Sequence, residues 1–202
     1  MRRSRSKKRW ADHYSELAKK ERYPARSVYK LKEAQKKFHL ISKGDQVLDL
    51  GCSPGSWLLY AAELTGKHGK VLGIDVKPVT IKIPSQAETL KADILTIDRA
   101  WIENKDLAKC FNVVLSDMAP ATTGNKMIDA ERSFQLCHAA LNIAQMVLRP
   151  GGSFICKIFQ GAEFKNFSES VKRGFKNHKT FKPRSSRKAS KEIFIIGTGF
   201  RG

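Results

Sequence analysis

The chain has 202 residues, 41% of them hydrophobic, which is enough to bury one substantial core. It carries 38 Lys and Arg against 19 Asp and Glu, a formal net charge of +19, and this excess favours a polyanionic partner such as nucleic acid. The basic residues cluster at Arg2–Arg9, Lys19–Lys37 and Lys172–Lys191. No amphipathic helix with a large apolar face accompanies these clusters, and no apolar run is long enough to cross a bilayer, so we expect no membrane association.

The four cysteines are scattered at Cys52, Cys110, Cys137 and Cys156, without C-x-x-C spacing. The N-terminus is basic, but no apolar segment follows it as in a secretory signal. We therefore expect reduced thiols, no metal site and a cytoplasmic protein, which we take to be a monomer.

The chain opens with a basic arm and then alternates helices with strands. Helices are predicted over Asp12–Lys20 and over Ser27–Phe38, with Ser27 as the N-cap of the second. From residue 46 the pattern predicts strands that alternate with helices. The predicted strands are Gln46–Leu50, Lys70–Val76, Thr89–Ile94, Phe111–Leu115, Ser153–Phe159, a short one at Thr180–Lys182, and Glu192–Thr198. The predicted helices are Trp57–Leu64, Ala100–Lys109, Asp129–Leu148, which Arg149-Pro150-Gly151-Gly152 ends, and Ala162–Phe175. This alternation predicts a doubly wound, mostly parallel α/β sheet in one domain, residues 23–202, behind a basic extension, residues 1–22.

The stretch Val47–Trp57 joins a buried strand to a helix through a turn of small residues, Gly-Cys-Ser-Pro-Gly-Ser. Small side chains let a ligand approach the backbone, and a helix N-terminus offers unpaired N–H groups. The stretch matches neither G-x-G-x-x-G nor G-x-x-x-x-G-K-[ST], and its turn holds no Lys or Arg for a phosphate. We predict a ligand cradle that is neither a dinucleotide fingerprint nor a P-loop.

Three acids indicate the ligand. Asp49 before the turn favours a positive group, Asp75 after the second strand suits the hydroxyls of a ribose, and Asp93 could accept from an adenine amino group. In an open parallel sheet, ligands bind outside the carboxyl ends of the strands, where these acids and Asp117 fall. S-adenosylmethionine, a cationic adenosine with a free ribose, fits this set. The alternative is that the acids cap helices or line a solvated rim.

Lys157 interrupts the apolar strand Ser153–Phe159. Burial of an ammonium group is costly unless the group is paired, so an acid should lie close to it. Asp117, at the end of a neighbouring strand, is the candidate partner, and Glu192 at the start of the final strand could complete the group. The alternative is a purely structural ion pair. Lys30 lies on a lysine-rich helix, and composition alone does not separate it from a solvated lysine.

The sequence resembles the FtsJ (RrmJ) family of S-adenosylmethionine-dependent RNA ribose 2′-O-methyltransferases. The matching segments are Ala25–Leu31 (Ala-Arg-Ser-Val-Tyr-Lys-Leu), Asp49–Gly51 with Pro54–Trp57, Ser116–Pro120 (Ser-Asp-Met-Ala-Pro), Lys157 and Glu192, and the resemblance runs from about Tyr23 to Gly199. It implies a Rossmann-like class I methyltransferase sheet with an antiparallel last strand. It also implies a Lys-Asp-Lys-Glu catalytic tetrad, carried here by Lys30, Asp117, Lys157 and Glu192.

The resemblance further implies contacts with S-adenosyl-L-methionine at Gly55, Trp57, Asp75, Asp93 and Asp117, to which the cradle adds Asp49 and Gly51. The family usually has Pro-Gly-Gly-Trp where this chain has Pro54-Gly55-Ser56-Trp57. Ser56 is small, so we expect cofactor binding to survive, whereas a positive φ at Ser56 would weaken the match.

In the implied reaction a ribose 2′-hydroxyl attacks the sulfonium methyl group in line, and the protein orients both groups and manages one proton. Lys157 is the predicted general base; if it stays charged, it only steers the hydroxyl.

The compact members of the family act on a uridine of large-subunit (23S-type) ribosomal RNA, so the resemblance implies that substrate and a part in ribosome maturation. Transfer RNA is the alternative within the class. A non-catalytic RNA-binding ribosome-assembly protein is the alternative from another class. A small-molecule methyltransferase conflicts with the net charge of +19.

Overall fold

The computed structural model describes residues 13–120, 123–187 and 189–202, and the basic arm Arg2–Arg9 lies outside them. The strands are β1 (Gln46–Leu50), β2 (Lys70–Asp75), β3 (Ala87–Lys91), β4 (Phe111–Ser116), β5 (Leu148–Phe159), β6 (Phe175–Phe181) and β7 (Glu192–Phe200). The helices are α1 (residues 13–20), α2 (Val28–Phe38), α3 (Ser56–Thr65), α4 (Arg99–Asn104), α5 (Lys126–Val147) and α6 (Phe164–Gly174). Among these helices, none combines the length and apolar character that a membrane crossing requires.

The strands form one sheet in the order β3-β2-β1-β4-β5-β7-β6. Strands β1 to β5 pair in parallel, whereas β7 runs antiparallel to both of its neighbours, β5 and β6. The predicted fold class, a doubly wound and mostly parallel sheet with an antiparallel last strand, is confirmed. The order reverses between β1 and β4, and the carboxyl ends of these strands therefore flank the expected ligand crevice.

Helices cover both faces of the sheet, because the parallel strands are apolar on both sides. Helices α2 and α3 pack on one face, here called the α2/α3 face, against Val113, Leu115 and Ile155. Helices α4, α5 and α6 pack on the other face, against Val114 and Phe154. Side chains alternate along a strand, so a residue's position in β4, β5 or β7 decides which face it reaches.

Helix α1 packs at the edge of the α2/α3 face, where Ala18 is buried beside Tyr23, Val28 and Tyr29. Helix α2 begins at Val28 without the expected cap. Ser27 already has helical angles (φ −58°, ψ −23°), and its side chain makes no capping hydrogen bond, so the N-cap prediction is wrong. An N-cap residue normally has extended angles, which let its side chain turn back to the helix N–H groups.

Several strand boundaries also differ from prediction, most of all those of β5 and β6. Strand β3 covers Ala87–Lys91 rather than Thr89–Ile94, and β7 continues to Phe200 rather than Thr198. Strand β5 begins at Leu148 rather than Ser153, because Leu148 pairs with Phe111 ahead of a register shift that accommodates the Pro-Gly-Gly sequence. Strand β6 covers Phe175–Phe181, where a helix end and a short strand were expected. It is an edge strand rich in polar residues, and such strands lack the apolar alternation that marks half-buried ones.

Candidate active site

The structure brings the four predicted tetrad residues together. Lys30 Nζ lies 3.2 Å from Asp117 Oδ1 and 3.1 Å from Glu192 Oε2. Lys157 Nζ lies 2.9 Å from the same Asp117 oxygen and also donates to the Asp117 backbone carbonyl. Two ammonium groups and two carboxylates thus form one connected cluster, whose catalytic roles remain predictions.

Strand alternation explains why these residues meet. Lys157 lies between Cys156 and Ile158, which belong to the core of the opposite face, so its own side chain reaches the α2/α3 face. On β7, Glu192 has the parity of Phe194, which packs on the same face, and the antiparallel register pairs Phe194 with Lys157. Helix α2, which packs on this face, contributes Lys30, and Lys30 Nζ lies 5.7 Å from the centre of the Phe194 ring.

Only 6% of Lys157 and 9% of Glu192 is exposed, so these charges interact with little screening. Burial acts to raise the pKa of Glu192, but the Lys30 charge and hydrogen bond, together with Lys157, outweigh it and hold that pKa below its ordinary value. Removal of one member would leave a buried charge without its partner, which is strongly destabilising.

A cavity of about 400 Å³ opens beside the tetrad at the carboxyl ends of β1, β2 and β4. Four of the predicted cofactor residues line it, namely Gly51, Asp75, Asp93 and Asp117, together with apolar side chains that include Ile74, Ile94 and Met118. Gly55, Trp57 and Asp49 do not line this cavity. Asp117 belongs both to the cavity wall and to the tetrad, so it joins the two sites.

Asp75 and Asp93 are held in place by nearby backbone groups. The Asp75 carboxylate accepts the N–H of Ser53 at 2.9 Å and the N–H of Lys77 at 2.8 Å, one on each oxygen. Asp93 Oδ1 accepts the N–H of Leu95 at 3.0 Å. Because a carboxylate oxygen can accept more than one hydrogen bond, both residues retain acceptor capacity toward the hydroxyl or amino groups of a ligand.

The two glycines of the turn make room for side chains of the protein. Gly51 has φ +78°, and a Cβ there would lie 2.2 Å from Met118 Cγ. Gly55 has φ +110°, and a Cβ there would lie 2.7 Å from Ile81 Cδ1. The small residues were predicted to let a ligand approach the backbone. In the structure, the two glycines let side chains from the loops after β2 and β4 pack against the turn.

Asp49 is 1% exposed and lies beneath the turn. One of its oxygens has no hydrogen-bond partner, and the carboxyl group also accepts the backbone N–H of Leu58. Burial raises the pKa of Asp49 to about 8, and the neighbouring carboxylates of Asp117 and Asp75 add to this shift. A nearby cation would favour the ionised form of such a carboxyl group.

Comparison with known proteins identifies the family. The FtsJ-like methyltransferase model matches residues 23–200. The chain belongs to the FtsJ-like methyltransferase family. It is 57% identical to the ribosomal RNA large subunit methyltransferase E of Desulforapulum autotrophicum, over 96% of this chain and 94% of that protein. It is 54% identical to the protein of the same name from Desulfosudis oleivorans, over 92% and 89% of the two chains.

A solved structure agrees with this assignment. The crystal structure of a putative ribosomal RNA methyltransferase from Plasmodium falciparum superposes with a TM-score of 0.78 at 28% identity, covering 89% of this chain and all of that one. The predicted family is therefore confirmed, and an FtsJ-like methyltransferase implies S-adenosylmethionine as its cofactor. The acid-lined cavity with apolar walls suits the adenosine part of such a cofactor.

In this FtsJ-like methyltransferase, Ser56 and Trp57 connect the turn to helix α2. The Ser56 hydroxyl accepts the N–H of Ala25 at 2.8 Å and donates to the Ala25 carbonyl at 3.1 Å. Trp57 donates its ring N–H to the Ser27 carbonyl at 2.9 Å and stacks on Phe194. The positive φ lies at Gly55, and Ser56 begins α3, so the departure from the family pattern introduces no backbone strain at Ser56.

Glu33 is a residue that the sequence analysis missed. Its carboxylate accepts the backbone N–H of Arg184 at 2.7 Å and that of Ser185 at 2.8 Å, which fastens the β6–β7 loop to α2. Arg26 adds a 2.5 Å hydrogen bond to the Ser185 carbonyl. The only available signal was that Glu33 is the one acid of the lysine-rich helix α2, and this does not reveal its distant partner.

We expect Ser56→Ala to lower the free energy of unfolding by about 1–2 kcal/mol, because the partly buried N–H and carbonyl of Ala25 lose the Ser56 hydroxyl as their partner. The dissociation constant for S-adenosylmethionine should not change, since the hydroxyl faces Ala25 rather than the cavity. Urea unfolding and calorimetry measure the two quantities. Ser42→Ala, at an exposed site, is the control. A stability equal to that of the control would contradict the proposed connection.

We expect Asp49→Asn to make the protein more stable than wild type at pH 8.5. The folded pKa of about 8 lies above the ordinary value of 3.8, so the wild type loses stability as the pH rises through this interval. The gain should be roughly 2–5 kcal/mol at pH 8.5 and should fade toward pH 4.

Urea unfolding across this pH range measures the difference, with the exposed substitution Asp106→Asn as the control. A variant less stable than wild type at pH 8.5 would mean that the ionised Asp49 carboxylate has a stabilising partner.

Proposed function

We propose that this protein transfers the methyl group of S-adenosylmethionine to the 2′-hydroxyl of a uridine in large-subunit ribosomal RNA, as a cytoplasmic monomer. The observation that carries the proposal is the double position of Asp117, in the tetrad and in the cavity wall. A hydroxyl held at the tetrad and a ligand held in the cavity would meet at this residue. The names of the relatives, ribosomal RNA large subunit methyltransferases, support the substrate.

The cavity residues fit the cofactor by their chemistry. We propose that Asp75 accepts hydrogen bonds from the ribose hydroxyls and Asp93 from the adenine amino group, while Ile94 and Met118 line the apolar wall. Asp49 lies beneath the turn and would favour a cationic ligand electrostatically. When bound, S-adenosylmethionine supplies an electrophilic methyl group on a positively charged sulfur.

The tetrad would orient the hydroxyl and take its proton. Asp117 holds Lys157 through both its carboxylate and its backbone carbonyl, so Lys157 Nζ has a fixed position. Lys30 neutralises Asp117 and Glu192, and it also places a second positive charge near Lys157. We propose that Lys157 Nζ, in its neutral form, accepts the proton of the 2′-hydroxyl. Asp117 and Glu192 would orient the side chains of Lys30 and Lys157 toward that hydroxyl.

The surface beside the tetrad supports an RNA substrate. Arg184 and Arg187 are exposed on the β6–β7 loop, whereas Ser185 and Ser186 between them are buried against the protein. This arrangement directs the two arginines outward, and Glu192 follows the same loop. Exposed arginines on a loop whose backbone is held by Glu33 can bind phosphates and set the register of an RNA strand without reading its bases.

The direct test incubates the protein with labelled S-adenosylmethionine and, in separate reactions, large ribosomal subunits, free ribosomal RNA and transfer RNA. The RNAs come from cells in which the gene has been deleted. We expect one 2′-O-methyluridine in the large-subunit RNA, mapped by mass spectrometry. Methylation confined to transfer RNA would show that the proposed ribosomal substrate is wrong and that transfer RNA is the substrate. Methylation of none of them, with S-adenosylmethionine bound, would overturn the proposal.

We expect Lys157→Arg to lower kcat by about 100-fold or more, because a guanidinium cannot accept the hydroxyl proton near neutral pH. The dissociation constant for S-adenosylmethionine should stay the same, since Lys157 does not line the cavity. Single-turnover rates of wild type and variant between pH 6 and 9.5 provide the measurement.

Lys179→Arg, on the edge strand β6, is the matched control and should retain wild-type rates. Near-normal turnover by Lys157→Arg would eliminate the general-base role and leave Lys157 as a group that only steers the hydroxyl.

We expect Glu33→Ala to raise the KM for large ribosomal subunits by about tenfold with little change in kcat, because two charge-assisted hydrogen bonds to the β6–β7 loop are lost. Loss of a negative charge should by itself strengthen RNA binding to a basic protein. Glu88→Ala, on the opposite edge strand β3, makes the same charge change without the loop contact. If the two variants bind RNA equally well, Glu33 does not position the loop for RNA.

A further inference from the structure

A second and larger cavity lies on the other face of the sheet. Its volume is about 690 Å³, and it lies between the first half of α5, the carboxyl end of β5 and the start of α6. Three aromatic residues, Phe134, Phe159 and Phe164, line it, and all three are partly exposed. None of the predicted cofactor or tetrad residues belongs to it.

This cavity shares a wall with the tetrad. Phe159, which lies two residues after Lys157, and Lys191, which lies one residue before Glu192, both line the cavity. Phe159 pairs with Glu192 across the antiparallel ladder, and the Gln160 N–H donates to the Lys191 carbonyl at 3.0 Å. Two strand residues span only about 7 Å, so the cavity begins within reach of a nucleotide adjacent to one held at the tetrad.

The lining has the character of a site for a flat, uncharged ring. Phe134, Phe164 and Ile158 offer apolar faces for stacking, and the amides of Gln135 and Gln160 offer donors and acceptors. The charged residues of the lining balance in number, with Glu131 and Glu163 against Arg132 and Lys191. At the mouth, Met127 is 83% exposed and Ile128 is 44% exposed, although both are apolar.

We propose that this cavity binds a base of the RNA substrate that neighbours the methylated nucleotide. The proposal rests on the proposed function and adds a binding site to it. The RNA strand would cross the carboxyl edge of β5, with its target ribose at the tetrad and a neighbouring base stacked between Phe134 and Phe164, the two aromatic residues of the lining that pack on this face of the sheet.

Charge favours this occupant over a second copy of the chain. Each copy carries a formal charge of +19, so two copies repel each other, whereas an RNA strand is attracted to the chain. The apolar lining contributes what phosphate contacts do not, namely stacking that holds a base in one position.

The test uses large ribosomal subunits from cells that lack the enzyme and were grown with 4-thiouridine. The wild-type protein is photo-crosslinked to them, and the crosslinked peptides are mapped by mass spectrometry. We expect crosslinks within Phe159–Phe164, and we expect the variant Ala162→Trp, which fills the cavity from an exposed turn, to abolish them. The same variant should raise the KM for subunits about tenfold or more without changing the dissociation constant for S-adenosylmethionine.

Ala108→Trp is the matched control, because Ala108 is an exposed turn residue that lines neither cavity. If the wild type methylates subunits but Phe159–Phe164 is not crosslinked and Ala162→Trp behaves like Ala108→Trp, the base site is wrong and the proposed function stands. Crosslinking does not require turnover, so a crosslink at this segment without methylation would support the site while overturning the proposed reaction.

Discussion

Lys30 and Lys157 share a single carboxylate oxygen of Asp117, at 3.2 Å and 2.9 Å, in a site where only 6% of Lys157 is exposed. A buried and a partly buried ammonium group so close together are stable because Asp117 and Glu192 supply equal negative charge. The register of β7 against β5 brings Glu192 to this site, and the placement of α2 brings Lys30. The other parts of the fold that bear on the site hold these two elements in position.

Helix α2 is held at its N-terminal end and at its middle by contacts that lie outside the tetrad. Near its N-terminus, Ser56 and Trp57 hold the Ala25–Ser27 segment through three hydrogen bonds. One and a half turns into the helix, the Glu33 carboxylate accepts two backbone hydrogen bonds from the loop that leads into β7. The turn that borders the acid-lined cavity and the loop that carries the exposed arginines are therefore connected through the helix that carries Lys30.

The sequence predicted the parts of this arrangement that depend on strong local patterns. The apolar strand that ends in Asp75, and the lysine inside an apolar strand, are visible because they end or break a clear periodicity. Strand β3 is mostly exposed and ends at Lys91, so its bounds were predicted less well. Lys30 could be distinguished from its neighbours only through the family resemblance. The Glu33 contact was not predictable, since its partners lie about 150 residues away, and β6 was mistaken because polar edge strands resemble loops.

The insertion of β7 between β5 and β6 has a consequence for the order of assembly during synthesis. The residues that line the acid-lined cavity all lie between Gly51 and Leu136, so that part of the chain leaves the ribosome early. Glu192 belongs to the last strand, which must enter between two strands that are already made. The nascent protein therefore has all the residues of this cavity well before it has all four residues of the tetrad.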